Sequence, residues 1–459
     1  MPPSTRARTR FAIGLLGLSS LITGLDFTIV YVALPDIDRE LGFTGGQVQW
    51  VVSAYALTFG GFLLLFGRLS DLLGRRRTFL FGMLLFAAAS LLGTFSGTPA
   101  VLLVARALQG LGAAALFPST LSLITSTFPE GRARGRAMTA WAASGASGLS
   151  LGALLGGILT EFDWRGVFLV NVPLTALAAV GAVLVLAPDA GRIGRGGFDP
   201  VGAITGTTAA TLFVLAVSQL SEPGVSPVAV LGTGFAAAVS AGVFLRTEAT
   251  VRAPMLPLSL FAHQGLRAAT AVIAAFGITL QSIPYVLTIH FRTGLDLTAL
   301  QAGLAFLLPT AAITIGNLVG ERLPARCGPG VVVSTGLVIG AAGAAALIPA
   351  VATGAGYLAA VPGLAVAGLG MGLVFPAMFT AATTGVPAEH SGVASGAASS
   401  ALQFGTAVGL AVISGLLAHP GAGLTIGLAV ISIGALAAIA PAVSIPRAAV
   451  DEPRPTERR

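Results

Sequence analysis

Gly67-Arg68-Leu69-Ser70-Asp71-Leu72-Leu73-Gly74-Arg75-Arg76-Arg77 is a short basic stretch between two long apolar runs, 47–67 and 78–96. Its four arginines and one aspartate require water, while the flanking runs do not. A helical run of roughly 20 apolar residues matches the thickness of a bilayer core, so the stretch reads as a turn between two membrane spans. Gly67 and Gly74 permit a tight turn and close helix approach. Asp71, just past the first run, is placed to accept hydrogen bonds from helix-end amides or a neighbouring Arg. A simple positive anchor explains the arginines but leaves Asp71 and the spaced glycines unexplained.

The same alternation extends in both directions. Apolar runs recur at about 11–34, 47–67, 78–96, 99–127, 137–160, 164–187, 200–220, 226–245, 266–290, 299–320, 330–350, 355–382, 391–418 and 421–445, fourteen candidate spans. The composition agrees: 55% hydrophobic, 9% charged, mean hydropathy +0.90. A soluble chain carries about a quarter charged residues. Spans in lipid must satisfy their own backbone, which favours helices, and the alternating ten-residue segments of a barrel do not occur. The run from Phe11 to Leu34, after Arg6, Arg8 and Arg10, is too long for a signal peptide's apolar region. Pro35-Asp36 follows it instead of a cleavage site, so it reads as a retained first span.

All 25 basic residues are Arg, and Gly is abundant at 61, the composition of a GC-rich bacterial genome. With the N-terminus inside, 21 arginines fall in cytoplasmic turns and tails, including Arg68, Arg75, Arg76 and Arg77. Only Arg39, Arg165 and Arg292 fall outside, and Arg106 lies within a span. Positive residues collect on the cytoplasmic side, so the net charge of +7 is a topology signal and not a nucleic-acid footprint. This places both termini in the cytoplasm of a bacterial inner-membrane protein. Cys327, the single cysteine, makes no internal disulfide.

The chain also repeats itself. Gly110-Leu111-Gly112 with Phe117-Pro118 recurs as Gly368-Leu369-Gly370 with Phe375-Pro376, and Gly67-Arg68-Leu69 is echoed by Gly316-Asn317-Leu318. A duplicated six-span half leaves two extra spans between the copies, and parallel halves of this kind build one large transporter class. The expected organisation is a tail at 1–10, a six-helix bundle at 11–188, and a linker with two extra transmembrane helices at 189–264. A second six-helix bundle at 265–445 and a tail at 446–459 complete it.

Few residues inside the spans carry chemistry. Asp26 is the carboxylate that falls well inside an apolar run. Insertion of such a group costs roughly 2.5–3.5 kcal/mol at a helix centre, so it faces the interior and is neutralised by a proton or a partner. Low dielectric disfavours a charged carboxylate, which makes Asp26 a candidate proton carrier, with a capping or pairing carboxylate as the alternative. Arg106 stays charged and needs an anion or a ring of acceptors; Gln109, three residues on, shares its helix face. The buried guanidinium and Asp26 are therefore expected to approach each other. Gly148, Gly152, Gly156 and Gly157 form a small-residue stripe suited to helix packing. Trp50, Tyr55, Gln109, Gln281, Tyr285 and Gln403 are candidate cavity linings, rings and amides that suit hydrophobic or cationic organic molecules. His290 reads as an interfacial residue. No metal cluster, phosphate-binding loop or nucleophile triad is present in the sequence, which disfavours an enzyme or an ATP-driven pump.

These motifs together resemble the major facilitator superfamily, and within it the fourteen-span drug:proton antiporter class. Leu25 to Pro35 resembles that class's first-span motif, Gly67 to Arg77 its loop motif, Arg106-Ala107-Leu108-Gln109-Gly110 its fourth-span motif, and Trp164 to Pro173 its sixth-span entry. Two positions depart from the pattern: Tyr31 stands where Asn is usual, and Ala153 where Pro follows Gly152. Without that Pro the helix lacks its kink-prone point. The resemblance implies an all-α polytopic fold, two six-helix bundles plus two extra central helices, working by alternating access. It implies Asp26 and Arg106 as proton-coupling residues, and Gly67, Asp71, Gly74, Arg75 and Arg76 as a conformational latch. The expected protein is a monomeric exporter of small organic molecules, driven by the proton gradient, with no cofactor and no enzymatic activity. A symporter or facilitator of a small metabolite on the same fold, or a transport-inactive membrane sensor, are the competing readings.

Overall fold

The computed structural model of the chain describes residues 3–43, 47–128, 132–189, 199–220, 224–251, 254, 258–384, 391–417 and 423–446. These residues are helical in the main, and no strand occurs among them. The first group of helices is α1 (Pro3–Leu41), α2 (Trp50–Leu73), α3 (Arg75–Thr94), α4 (Pro99–Thr127), α5 (Arg132–Phe162) and α6 (Gly166–Val185). Then come α7 (Pro200–Gln219) and α8 (Pro227–Thr250). The rest are α9 (Gln264–Gly294), α10 (Ala299–Arg322), α11 (Pro329–Ala352), α12 (Tyr357–Thr383), α13 (Ser391–Leu417) and α14 (Gly423–Val443). Among the described residues 12 helical stretches are long and apolar enough to cross a bilayer, α7 and α8 included. The protein is a multi-pass membrane protein.

Local sequence explains where the helices begin. Thr98 and Ser226 accept hydrogen bonds from Val101 and Ala229 at the starts of α4 and α8, each with Pro at the first helical position. Pro suits that position because its missing N–H has no helical partner to lose. Thr298 and Gln301 cap α10 reciprocally.

Two boundaries differ from the sequence expectation. The 67–77 stretch is not an open turn: α2 continues through Leu73, and Gly74 alone, at φ 107°, separates it from α3. Asp71 thus sits in the last turn of α2 rather than past its end. Helix α1 runs through Pro35 to Leu41. Both helices outrun their apolar windows because polar residues at a helix end reach water while the backbone ladder continues.

Within the first group α1 packs on α5 and α6, and α4 packs on α2 and α3. In the last group α12 packs on α10 and α11, and α9 on α12 and α13. The sequence repeat maps onto this geometry. A methyl at Gly110 would collide with the Tyr55 carbonyl on α2, and one at Gly112 would lie 3.0 Å from Phe86 N on α3. At Gly368 it would lie 2.5 Å from the Pro309 carbonyl on α10, and at Gly370 it would strike Gly340 N on α11. Each copy of the motif therefore seats its helix against the equivalent two neighbours.

The two groups meet along α5 with α10 and α2 with α13. One buried apolar cluster lies wholly in α1–α6, whereas the other runs from Ile37, Trp164 and Phe168 into Phe291, Ala299 and Leu337, across the boundary. Helix α7 packs on α2 and α13 beside this seam, with α8 against α7. Only 6% of the apolar window of α8 is buried; Val228, Leu231 and Phe235 point outward. An exterior this apolar requires lipid as its solvent.

Candidate functional site

Asp26 and Arg106 lie side by side in the first bundle, 0% and 1% exposed. Arg106 Nη1 donates to Asp26 Oδ2 at 2.7 Å and to Gln109 Oε1 at 2.9 Å, while Nε donates to the Val51 carbonyl at 2.8 Å. Gln109 Nε2 donates to Asp26 Oδ1 at 3.1 Å and to Ser90 Oγ at 2.8 Å. Asn171 Nδ2 also donates to Asp26 Oδ1, at 2.8 Å. The Tyr55 ring lies 4.4 Å from Arg106 Cζ, in cation–π geometry. Five helices, α1, α2, α3, α4 and α6, thus contribute to one buried polar cluster.

The arrangement follows from what burial costs. An isolated carboxylate or guanidinium in a low-dielectric interior is expensive, and the pair is tolerated because further hydrogen bonds complete it. Both Asp26 oxygens accept, so loss of its negative charge by protonation would weaken three charge-assisted contacts at once.

The sequence placed Asp26, Arg106 and Gln109 together, and the structure joins them. It did not single out Asn171, Ser90 or the Val51 carbonyl. Asn171 lay in the sixth-span stretch that drew attention as a whole, so its signal was present but unassigned.

The six candidate lining residues disperse. Tyr55 and Gln109 belong to the Asp26–Arg106 cluster, and Trp50 begins α2. Gln403 borders Gly60 of α2, where a methyl on that glycine would lie 3.0 Å from its Cβ. Tyr285 pairs with Tyr31 across the boundary at 6.1 Å between ring centroids. Gln281 lines a cavity of about 70 Å³ between the two groups, together with Tyr31, Ala153, Phe306 and Met371. This volume holds a few waters and falls short of the roughly 300–1,000 Å³ of ligand pockets, so the conformation is closed around its centre. Gln281 reaches it because α9 breaks: Thr279 leaves helical geometry (φ −105°, ψ −91°), a 3-10 turn spans Leu280–Ser282, and Pro284 restarts the helix. Broken helices at membrane depth are tolerated where they line such a cavity.

The glycine stripe serves two partners. Methyls at Gly148 and Gly152 would collide with the Leu21 and Leu25 carbonyls, and one at Gly156 would lie 2.6 Å from that of Ile29, all on α1. Gly157 instead faces α10, 2.6 Å from the Ala299 carbonyl. Gly67 is different: a methyl there would lie 3.8 Å from Pro118, ordinary contact, so no close approach requires that glycine.

Around Gly74 the basic motif ties the first bundle together. Arg75 Nη1 donates to the Ser122 carbonyl of α4 at 3.3 Å, and Arg76 Nη2 to the Val183 carbonyl of α6 at 2.8 Å. Asp189, which the sequence did not single out, accepts from the amides of Arg76 and Arg77, at 3.1 Å each, and so caps α3. The side chain of Asp71 lies outside the described residues. At the Arg-poor end, Arg292 Nη2 lies 2.5 Å from Asp36 Oδ2, and Glu40 accepts from Trp164 Nε1 and Arg165 Nη1, both at 2.6 Å. No group of three His, Cys, Asp or Glu side chains that could hold a metal occurs among the described residues.

A family model described as Major Facilitator Superfamily matches residues 16–410 and 268–458. The puromycin resistance protein pur8 of Streptomyces alboniger is 37% identical over 411 residues, covering 86% of this chain and 79% of that protein. The cephamycin export protein CmcT of Amycolatopsis lactamdurans is 38% identical, covering 84% and 81%. The lincomycin resistance protein of Streptomyces lincolnensis is 32% identical, covering 95% and 91%. Among solved structures, the human organic anion transporter MFSD10 (TETRAN) superposes with a TM-score of 0.67 at 16% identity, covering 96% of this chain and 100% of that one. A likeness at that identity concerns the fold.

Proposed function

The chain belongs to the Major Facilitator Superfamily, and from that premise we propose that it expels small hydrophobic or cationic organic molecules in exchange for protons. It is an efflux transporter, like the antibiotic resistance and export proteins to which it is similar. The observation that carries proton coupling is the buried Asp26–Arg106 pair, closed by Gln109 and Asn171. A proton arriving at Asp26 releases Arg106 and Gln109, and the substrate site between the groups responds because α1 lines both. Two ligands that bias one two-state element are coupled, which is the physical requirement for exchange.

The same reading assigns fourteen crossings, with α7 and α8 as an added pair beside the seam and both termini in the cytoplasm of a bacterial inner membrane. Its supports are the Arg asymmetry and the apolar length of both added helices. The protein acts as a monomer without a cofactor, and the Gly67–Arg77 motif is the latch of its cycle. The deciding experiment is outward flux from cells or inverted vesicles containing the protein. Flux should collapse with a proton uncoupler; flux that persists unchanged identifies a facilitator instead.

A further inference from the structure

Tyr31 is 2% exposed, and its hydroxyl is buried without a hydrogen-bond partner. The residue lines the cavity between the two groups, five positions after Asp26 on α1. Its ring stands edge-on to Phe27 at 5.8 Å and tilted against Tyr285 at 6.1 Å, so an aromatic wall crosses the boundary from α1 to α9. A buried hydroxyl with no partner is costly, and nature retains few. The residue borders the cavity while its hydroxyl is covered in this closed conformation, so a ligand reaches the missing partner's place only when the aromatic wall parts.

The cavity's charge is equally specific. None of its lining residues among those described is ionisable to a charge at neutral pH; the polar members besides Tyr31 are threonines and Gln281. Asp26 does not line it, and both its oxygens are engaged by Arg106, Gln109 and Asn171. A cation entering this space would lose its water and gain no counter-ion. We propose that the Tyr31 hydroxyl donates the selecting hydrogen bond of this cavity, which takes uncharged aromatic or amphiphilic molecules carrying an acceptor oxygen. The proposal rests on the exporter reading and narrows its substrate class from hydrophobic or cationic to uncharged. Separation of α1 from α9 during the cycle would enlarge the cavity at this aromatic wall.

The test uses the purified full-length protein and two probes: Nile red, uncharged with one conjugated carbonyl acceptor, and ethidium, a permanent cation. Wild-type protein should bind Nile red more tightly than ethidium. Tyr31→Phe should weaken Nile red roughly three- to tenfold, the scale of one hydrogen bond, and leave ethidium unchanged. Its melting temperature should equal or exceed the wild type's, since an unpartnered hydroxyl is removed. Equal or tighter binding of ethidium by the wild type, no binding of Nile red, unchanged Nile red affinity in Tyr31→Phe, or a lowered melting temperature would each overturn the proposal. Proton-gradient-driven flux of the probes in vesicles is scored separately: if it is absent while the binding contrast holds, the exporter reading fails and the role of Tyr31 stands.

Discussion

Asp36 and Arg292 are 256 residues apart in sequence and 2.5 Å apart in space, tying the end of α1 to the end of α9 across the boundary between the two groups. Arg292 also donates to the Leu297 carbonyl at 3.2 Å, and Glu161 accepts from the Leu300 amide at 3.3 Å. With Gly157 pressed against α10, these contacts close the Arg-poor end. A second ion pair at that end among the described residues, Arg165 with Glu40, stays within the first group.

Breaking the crossing pair should loosen that end without unfolding the protein. The groups are 10% and 22% exposed, so the contact is worth on the order of 1 kcal/mol. Arg292→Gln should therefore raise the open population a few-fold. Spin labels at Phe162→Cys and Thr293→Cys, both exposed positions, in a Cys327→Ser background would report it. An unchanged distance distribution would show that Gly157 and its neighbours hold the end closed unaided.

Two glycines of the sequence motifs should behave oppositely. Gly152→Ala drives a methyl into the Leu25 carbonyl and Thr28 on α1, whereas Gly67→Ala meets only ordinary contact with Pro118. Overpacking against backbone costs typically 1–3 kcal/mol. A thermal melt in detergent should thus show a clear drop for the first and none for the second.

The added helix pair admits a direct topological test. If α7 and α8 both cross, the segment between them lies outside while the end of α6 lies in the cytoplasm. Ala187→Cys and Glu222→Cys, each in the Cys327→Ser background because Cys327 is exposed, should label from opposite sides. Labelling from one side only would mean that the pair lies along the membrane or packs differently.

What the sequence made legible follows from contrast. Asp26, Arg106 and Gln109 stood out because polar groups inside apolar runs are costly and few, and their mutual spacing put two of them on one helix face. The helices themselves were legible for the same reason. Asn171 was not, since an amide near Pro173 at a span entry resembles ordinary helix-end chemistry. The Asp36–Arg292 pair and the Asp189 cap were invisible because their partners come from distant segments. The dispersal of the six candidate lining residues has the same cause: helical periodicity says which residues share a face, not which neighbour that face meets. The apparent turn at 67–77 misled because charged residues can continue a helix once it reaches water.

The latch should act on rate rather than on binding, because Gly74 and its arginines contact α4, α6 and Asp189 and not the cavity. Asp71→Asn should keep substrate affinity within a few-fold while turnover falls tenfold or more, a barrier change of roughly 1.4 kcal/mol. Asp189→Ala, which uncaps α3, should lower stability by about 1 kcal/mol. Lost affinity with turnover kept in Asp71→Asn would move the motif into the binding site.

The central pair carries the most exacting prediction. Asp26→Asn keeps the side chain's shape and one of its two acceptor oxygens, but turns an NH2 toward a donor of the cluster, leaves Arg106 without its counter-ion, and cannot exchange a proton. The variant should fold, insert and bind substrate, yet fail to concentrate it against a gradient. Arg106→Ala leaves the carboxylate buried without its cation. Removal of one partner from such a pair costs roughly 3–5 kcal/mol while the other remains charged, so the pH at which protons affect substrate binding should shift. Arg106→Lys should restore the profile only in part, since an ammonium cannot reach Asp26, Gln109 and the Val51 carbonyl with one planar fork. Uphill export by Asp26→Asn, or an unchanged pH profile in Arg106→Ala, would remove the cluster from the coupling step and leave it a structural brace of the first bundle.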